Sequence, residues 1–488
     1  MAPRNEPIRK NTPSENGHSA LDENSPLLAS NADDAPANEE EIFNHNGTTA
    51  KDDDLDRLLP KLQIALLCYS RVVEPISFFC IFPYINQMIF ETGVREVDVG
   101  FYSGLIESLF SLAGTLLMIF WGRAADRLGR KPVLLFSLCG AAISMALFGF
   151  SKRVWQMIVC RCLAGMFGGT IVTIRAMISE NSTPKTQARA FGFFAFAGNL
   201  GIMLGPVIGG VLEEPAKQYP RIFGNIGLLK EYPYALPTLF TGVMTAISAL
   251  VNAIYLKETL DPEFRQGSSK SKTISTMELL QFEGVKPVIF IYSHVMILAM
   301  FYTAVVPVMW FTAIPLGGYG LTPKQISLLM CLSGLSQALW LLLIFPPLQH
   351  RLGTGGVLRL CAAAWPLFFL AAPLGSVLLR HRLDVAAWCV VLPALAVGSG
   401  VSMAFTAVQL ALNDISPSPQ TLGTLNALAL AANSGVRTVA PSLATSLFAL
   451  SVREQILGGY LVWAILVALG VALVGTVRWL PRLDGLGI

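Results

Sequence analysis

The sequence predicts an all-α membrane protein, with twelve transmembrane helices in two pseudo-symmetric six-helix bundles. Three observations predict it. Of the 488 residues, 53% are hydrophobic and only 14% are charged, where a soluble domain carries about a quarter charged residues. So few charges cannot cover a water-soluble body of this size, and a bilayer becomes the expected solvent. Apolar segments then recur along the chain, each near the ~20 residues that a helix needs to cross a hydrocarbon core. Finally, a short sequence repeats itself at an offset of 224 residues, in equivalent places of the two halves.

The elements follow in order. Residues 1–60 hold 13 acidic and 5 basic side chains and few large apolar ones. That composition buries too little surface to offset the entropy of ordering, so it predicts a disordered, acidic, cytoplasmic tail. The predicted spans are 62–86, 99–121, 132–151, 155–178, 188–211 and 236–256 in a first bundle (61–256). A second bundle (287–488, with a short tail) holds 287–311, 325–347, 357–379, 385–410, 422–449 and 457–480. Backbone polar groups in lipid must be satisfied within their own segment, which selects helices over open strands. A cytoplasmic linker (257–286) carries Lys257, Arg265, Lys270, Lys272 and Lys286, and the loop after span 2 carries Arg123, Arg127, Arg130 and Lys131. Both lie on the side of the two termini, which the positive-inside rule makes cytoplasmic. Arg380 and Arg382, after span 9, run against the rule.

The repeat pairs Asp126-Arg-Leu-Gly-Arg-Lys-Pro-Val-Leu-Leu135 with His350-Arg-Leu-Gly-Thr-Gly-Gly-Val-Leu-Arg359. A weaker echo pairs Asn199-Leu-Gly201 with Asn433-Ser-Gly435. Repeated halves are a common transporter plan, with the substrate site between them near the midplane.

Composition and motif content exclude other classes. All eight cysteines fall in apolar runs, without the loop spacing of a disulfide framework, and read as packing residues. The polar first 60 residues do not form a cleavable signal peptide, so span 1 is expected to act as its own insertion signal. There is no H-E-x-x-H, no G-x-S-x-G and no P-loop. The reading is therefore not an enzyme, with no cofactor, no metal and no nucleic-acid partner. The expected partners are the lipid bilayer, a small-molecule substrate and protons.

The sharpest motif is Gly122-Arg-Ala-Ala-Asp126-Arg127-Leu-Gly129-Arg130-Lys131. It resembles the loop signature of the major facilitator superfamily, G-x-x-x-D-R-x-G-R-[KR], with every fixed position present. Glycine suits close helix approach and tight turns; Asp126 suits pairing with an arginine or a helix N-terminus. The resemblance implies that Gly122, Asp126, Arg127, Gly129, Arg130 and Lys131 latch a cytoplasmic gate. The second copy has His350 in place of the acid. Span 5 reads Gly198-Asn-Leu-Gly201-Ile-Met-Leu-Gly205-Pro206-Val-Ile-Gly209-Gly210, similar to the family's antiporter motif. Gly201, Gly205 and Gly209 share a helical face that lets a neighbour approach closely, Pro206 can bend the helix, and Gly210 completes the motif. Arg71 to Tyr84, Lys257 to Leu260 and Leu422 to Asn426 resemble a fungal branch related to zinc-induced facilitator-like and drug:proton antiporters.

A charge at the membrane centre costs at least about 2.5 kcal/mol, so it should face a cavity or a partner. Arg71 and Glu74 in span 1 share a face and either neutralise one another or form the proton-coupling site, with Glu74 the first choice for the group that binds the proton. Glu107 is the rival acid, and Arg161, in an R-x-x-x-G element of span 4, is the arginine expected to tune the proton site. The implied function is secondary active transport: proton-coupled export, by antiport, of a small organic compound such as a drug or secondary metabolite. The alternatives are a proton symporter for nutrient uptake and a non-transporting sensor on the same fold. In the tail, Glu23, Leu27 and Leu28 resemble an acidic dileucine sorting signal, readable by sorting adaptors and pointing to the vacuolar membrane. Without it, the plasma membrane is expected.

Overall fold

The computed structural model describes residues 60–183, 186–260, 280–282, 284–415 and 419–481. Glu23, Leu27 and Leu28 in the tail, and Arg265, Lys270 and Lys272 in the linker, lie outside the described residues.

Every regular element among the described residues is helical. In the first half the crossing helices are α1 (Lys61–Phe79), α2 (Glu96–Leu128), α3 (Arg130–Phe148), α4 (Val154–Glu180), α5 (Gln187–Leu212) and α6 (Ala235–Tyr255). The second half opens with α7 (Val285–Phe311). Next comes a 58-residue helical run, Pro323–Arg380, about twice the length a bilayer core requires. It breaks at Gly353, whose φ of 69° and ψ of 168° are not helical. Divided there, it supplies α8 (323–352) and α9 (354–380). The chain ends with α10 (Asp384–Asp414), α11 (Pro419–Arg453) and α12 (Leu461–Trp479). Counted as continuous runs, eleven helices among the described residues are long and apolar enough to cross. The break at Gly353 is what separates that number from the twelve expected.

The repeat is visible in the backbone. Gly129, between α2 and α3, has φ 113°, and its partner in the repeat is Gly353. Both sit where L side chains are strained, and both turn one helix into the next.

Two spans differ from the hydropathy reading. α1 stops at Phe79 rather than running to residue 86, and a short helix follows at Ile85–Glu91. Pro83 explains it: it cannot donate and biases Phe82 away from helical geometry. The chain there closes three-residue turns, Phe82 N–H to Phe79 O and Tyr84 N–H to Ile81 O. α4 is broken between Met166 and Thr170, at Gly168-Gly169. Trp121 fits into the gap and donates from Nε1 to the Met166 carbonyl at 2.7 Å.

Packing follows membrane rules. Large apolar side chains such as Leu342 and Leu367 are about seven-tenths exposed, at 70% and 72%, the surface a bilayer covers. Polar groups turn inward instead. Thr238, Thr241, Thr245, Ser248 and Asn252 form a buried stripe on α6. Ser70 of α1 meets Ser248 and Asn252, each at 2.9 Å, the short polar contacts that hold helices together in lipid.

The face carrying Arg123, Arg127, Arg130 and Lys131 is the expected cytoplasmic face, and the opposite one is called outer. The halves meet toward the outer face and in the middle. A Cβ at Gly104 of α2 would lie 1.8 Å from Thr445 Oγ1 of α11. Four hydrogen bonds cross between the halves among the described residues. Ala313 N–H donates to Glu96 (2.7 Å), Ser327 Oγ to the Pro206 carbonyl (2.6 Å) and Ser442 N–H to Ser108 Oγ (2.9 Å), and Thr115 meets Thr438 (3.4 Å).

Candidate functional site

Between the halves lies a cavity of about 270 Å³. Its wall holds Arg71, Glu74, Glu107, Arg161 and Arg437, set among Phe78, Phe79, Phe110 and Phe167. Five charged groups converge on one chamber because each would otherwise face lipid. The i, i+3 spacing brings Arg71 Nη1 to 2.7 Å from Glu74 Oε2. The Arg71 guanidinium also stacks over Phe194 at 4.8 Å, against Gly198, where a Cβ would come within 2.9 Å of it.

Arg161 is 2% exposed and held between Phe110 (4.4 Å) and Phe78 (5.1 Å). Its Nε and Nη2 have no hydrogen-bond partner among the described residues. Arg437 of α11 lies over the Phe78 ring at 5.5 Å. Cation–π contact is worth more when desolvated, about 2 kcal/mol, and here it replaces ion pairs that the arginines do not make. Glu107 lies in the fields of Arg161 and Arg437 with no direct hydrogen bond among the described residues. Glu107 and Arg161 also line a smaller pocket with Ile81, Phe82 and Ile85, on the outer side of the chamber.

The four coupling candidates, Arg71, Glu74, Glu107 and Arg161, therefore share one cavity. The aromatic lining was not singled out from sequence. Phe78 and Phe110 are ordinary apolar residues of their spans, and only the fold sets them on either side of Arg161.

The model of the Major Facilitator Superfamily matches residues 67–441. The chain belongs to this superfamily. The transporter is 48% identical to "Efflux pump azaK" of Aspergillus niger, over 94% of its own length and 95% of that protein's. It is 33% identical to "Protein ZINC INDUCED FACILITATOR 1" of Arabidopsis thaliana, over 47% and 48% of the two chains. Among solved structures, the nucleoside transporter NupG superposes with a TM-score of 0.59 at 16% identity, over 86% of this chain and 99% of that one. It is an integral, multi-pass membrane protein.

In the loop between α2 and α3, Asp126 bonds Arg130 at 2.6 Å, and Arg130 reaches Glu180 at 3.0 Å. Thr259 donates to the other Glu180 oxygen at 2.5 Å. The Glu258 carboxylate accepts from the backbone N–H groups of Arg130 (2.9 Å) and Lys131 (3.2 Å). It thereby covers the positive N-terminus of α3. All of these partners belong to the first half or to its exit strand. Arg127 and Lys131 form no side-chain ion pair with the described residues, and a Cβ at Gly122 would meet open space. The contacts of Glu180 and Glu258 with Arg130 leave no signal in the sequence, since 50 and 128 residues separate them from it.

The α5 motif lies along α1. A Cβ at Gly201 would stand 2.3 Å from the Val72 carbonyl, and one at Gly209 would stand 1.9 Å from that of Cys80. Gly205 abuts Phe79. Gly210 turns the other way, onto Ser327 of α8, beside the bond from Ser327 to Pro206. The motif thus packs α5 on α1 and joins the halves near the outer face.

Proposed function

We propose that this transporter exports a small, flat organic compound in exchange for protons, and that Glu107 is the coupling carboxylate. The observation that carries this reading is the charged chamber enclosed by phenylalanines in the middle of the membrane body. Its volume suits a small organic molecule, and its rings suit a conjugated one. Export is supported by the printed name of the relative at 48% identity, which matches nearly end to end.

Two carboxylates compete for the coupling role. Glu74 is engaged by Arg71 at 2.7 Å, the arrangement of a neutralised pair. Glu107 has no such bond among the described residues and also lines the smaller pocket on the outer side of the chamber. A hydroxyl or amine on the substrate would compete with the proton for the Glu107 carboxylate, which is what antiport requires. As the halves rock about the site, Glu107 takes a proton from the outer side and gives it up inside. The bases and acids around Asp126, Arg127, Arg130 and Lys131 act as the cytoplasmic latch, in the state where they reach the second half. In the present state the outer side is joined.

The test uses purified transporter in liposomes, with an imposed pH gradient and a fluorescent xanthene dye as cargo. Glu107→Gln keeps the shape but cannot titrate. It should abolish the response to the gradient while dye-for-dye exchange continues. A Glu107→Gln protein that follows the gradient like the wild type, with the response lost instead in Glu74→Gln, would transfer the role to Glu74. Dye moving with the protons would replace antiport by symport, the nutrient-uptake alternative.

For destination, we propose the vacuolar membrane, reached through adaptors that read Glu23, Leu27 and Leu28. A fluorescent fusion carrying Leu27→Ala and Leu28→Ala should then move to the plasma membrane. Unchanged location would remove the signal from the account.

A further inference from the structure

We propose that Glu213, at the outer end of α5, is a second proton-binding site of the transporter, separate from the central chamber and facing the outer side. This goes beyond the coupling reading and does not depend on which chamber carboxylate is used.

Glu213 is 4% exposed. One of its carboxylate oxygens, Oε1, accepts from Gln218 Nε2 at 3.0 Å. The other, Oε2, is buried without a partner among the described residues. Gln218 spends its amide N–H groups on Glu213 and on the Gly210 and Glu213 carbonyls (3.1 and 2.9 Å), which leaves its own Oε1 buried and unpartnered. Two adjoining side chains therefore hold two orphan acceptors and no orphan donor. A buried acceptor left unmade costs about 1–3 kcal/mol, more when charged. A single proton on Glu213 removes the charge and supplies the donor that the set lacks.

The surroundings push the same way. Glu213 terminates α5, where the helix dipole presents its negative end and disfavours an anion. Glu214 follows it in the chain, held in a left-handed conformation with φ 42°. Glu91 comes from the short helix after α1 and accepts from Tyr234, at the foot of α6, at 2.8 Å. Lys217, the cation that acts on it, pairs with Glu214. Burial first, and then the Glu214 charge, raise the Glu213 carboxyl to about 7, with the Gln218 bond and Lys217 opposing. A carboxyl so placed loads and unloads across neutral pH. From this cluster a line of polar groups leads inward. Tyr234 stacks on Tyr84 at 5.3 Å. Tyr84 is fully buried, its hydroxyl without a hydrogen-bond partner among the described residues, in the field of Arg161. Protons arriving at the outer face thus have a first station on the way to the chamber.

Infrared difference spectroscopy of purified, substrate-free transporter, titrated through neutral pH, reads the site directly. In a Glu107→Gln background, which removes the chamber carboxyl's own band, the protein should show a protonated carboxyl band that fades near pH 7, and adding Glu213→Gln should remove it. Glu214→Gln guards against misfolding of the first variant. It should keep the band and move its midpoint to lower pH, because a neighbouring negative charge has gone. An unchanged band in Glu213→Gln, or an unmoved midpoint in Glu214→Gln, overturns the proposal. Dye export should then respond to external pH differently in Glu213→Gln and in wild type. Identical profiles overturn the role in proton entry. If wild-type export ignores pH altogether, the coupling reading fails, while the infrared titration still decides whether Glu213 holds a proton.

Discussion

Arg71 and Glu74 meet because three residues along a helix bring two side chains onto one face, and that much can be read from spacing alone. Glu213 is the opposite case. Gln218 lies near it in sequence, but Glu91 and Tyr234 arrive from distant segments, so neither its burial nor its orphan oxygen has a local signature. Its stability consequence can be worked out with sign. An unfolded glutamate titrates near 4.5 and the folded one near 7, so the folded state holds the proton more tightly. That contribution is complete below about 4.5 and is lost as pH rises through about 7, for a total on the order of 3 kcal/mol. Melting temperatures of wild type and Glu213→Gln, measured from about pH 5 to about pH 8, should therefore diverge. The wild type should fall relative to the variant as pH rises. Parallel curves would mean that Glu213 keeps an ordinary acidity. The phenylalanines around Arg161 were illegible for another reason: a residue that packs and a residue that walls a cavity look alike in one sequence.

Hydropathy located the helices well, because the ~20-residue requirement is a property of the bilayer and not of any tertiary contact. It located their ends poorly. The apolar run continues past Phe79 into Phe82 and Ile85, so only the stereochemistry of Pro83 marks where α1 stops. Gly168-Gly169 inside α4 is likewise silent in an apolar average, yet Trp121 needs the gap it creates. Arg380, an exception to the charge rule, has a local cause. It donates to the carbonyls of Ile314 (3.1 Å), Pro315 (3.0 Å) and Gly458 (2.8 Å), and so fastens two outer loops to the end of α9. The small residues of α5 give a prediction for this scale. Gly209→Ala drives a methyl into the Cys80 carbonyl and should destabilise by about 1–3 kcal/mol, the usual cost of overpacking. Gly192→Ala, in the same helix, meets nothing within 4 Å and should be neutral or slightly stabilising, since alanine is the better helix former. Thermal shift in detergent checks both; equal effects would mean that α5 does not ride on α1 at backbone distance.

The two halves carry a repeat that the eye finds through Arg-Leu-Gly and the backbone keeps at Gly129 and Gly353. The chemistry has diverged around it: Asp126 anchors a network of acids and bases, whereas His350 stands in its place in the second copy. Transport by rocking predicts that tying the outer seam stops the cycle. The double variant Ser108→Cys with Ser442→Cys places thiols where α2 and α11 touch. Oxidation should abolish dye movement and reduction should restore it. Transport that continues through the cross-link would show that this seam never parts.

The polar part of the seam is slight, beside the close packing of α2 on α11. Its described bonds are single, mostly between neutral groups, each worth about 0.5–1.5 kcal/mol net, with Glu96 to Ala313 somewhat stronger. Inverting a two-state population from 1:99 to 99:1 takes about 5.5 kcal/mol. Four such bonds amount to about 2–6 kcal/mol, so cargo or a proton that favours the other state by about 10⁴-fold is enough to tip it. Serine, threonine and glycine at this edge act as a detent, firm enough to hold a position and weak enough to click past.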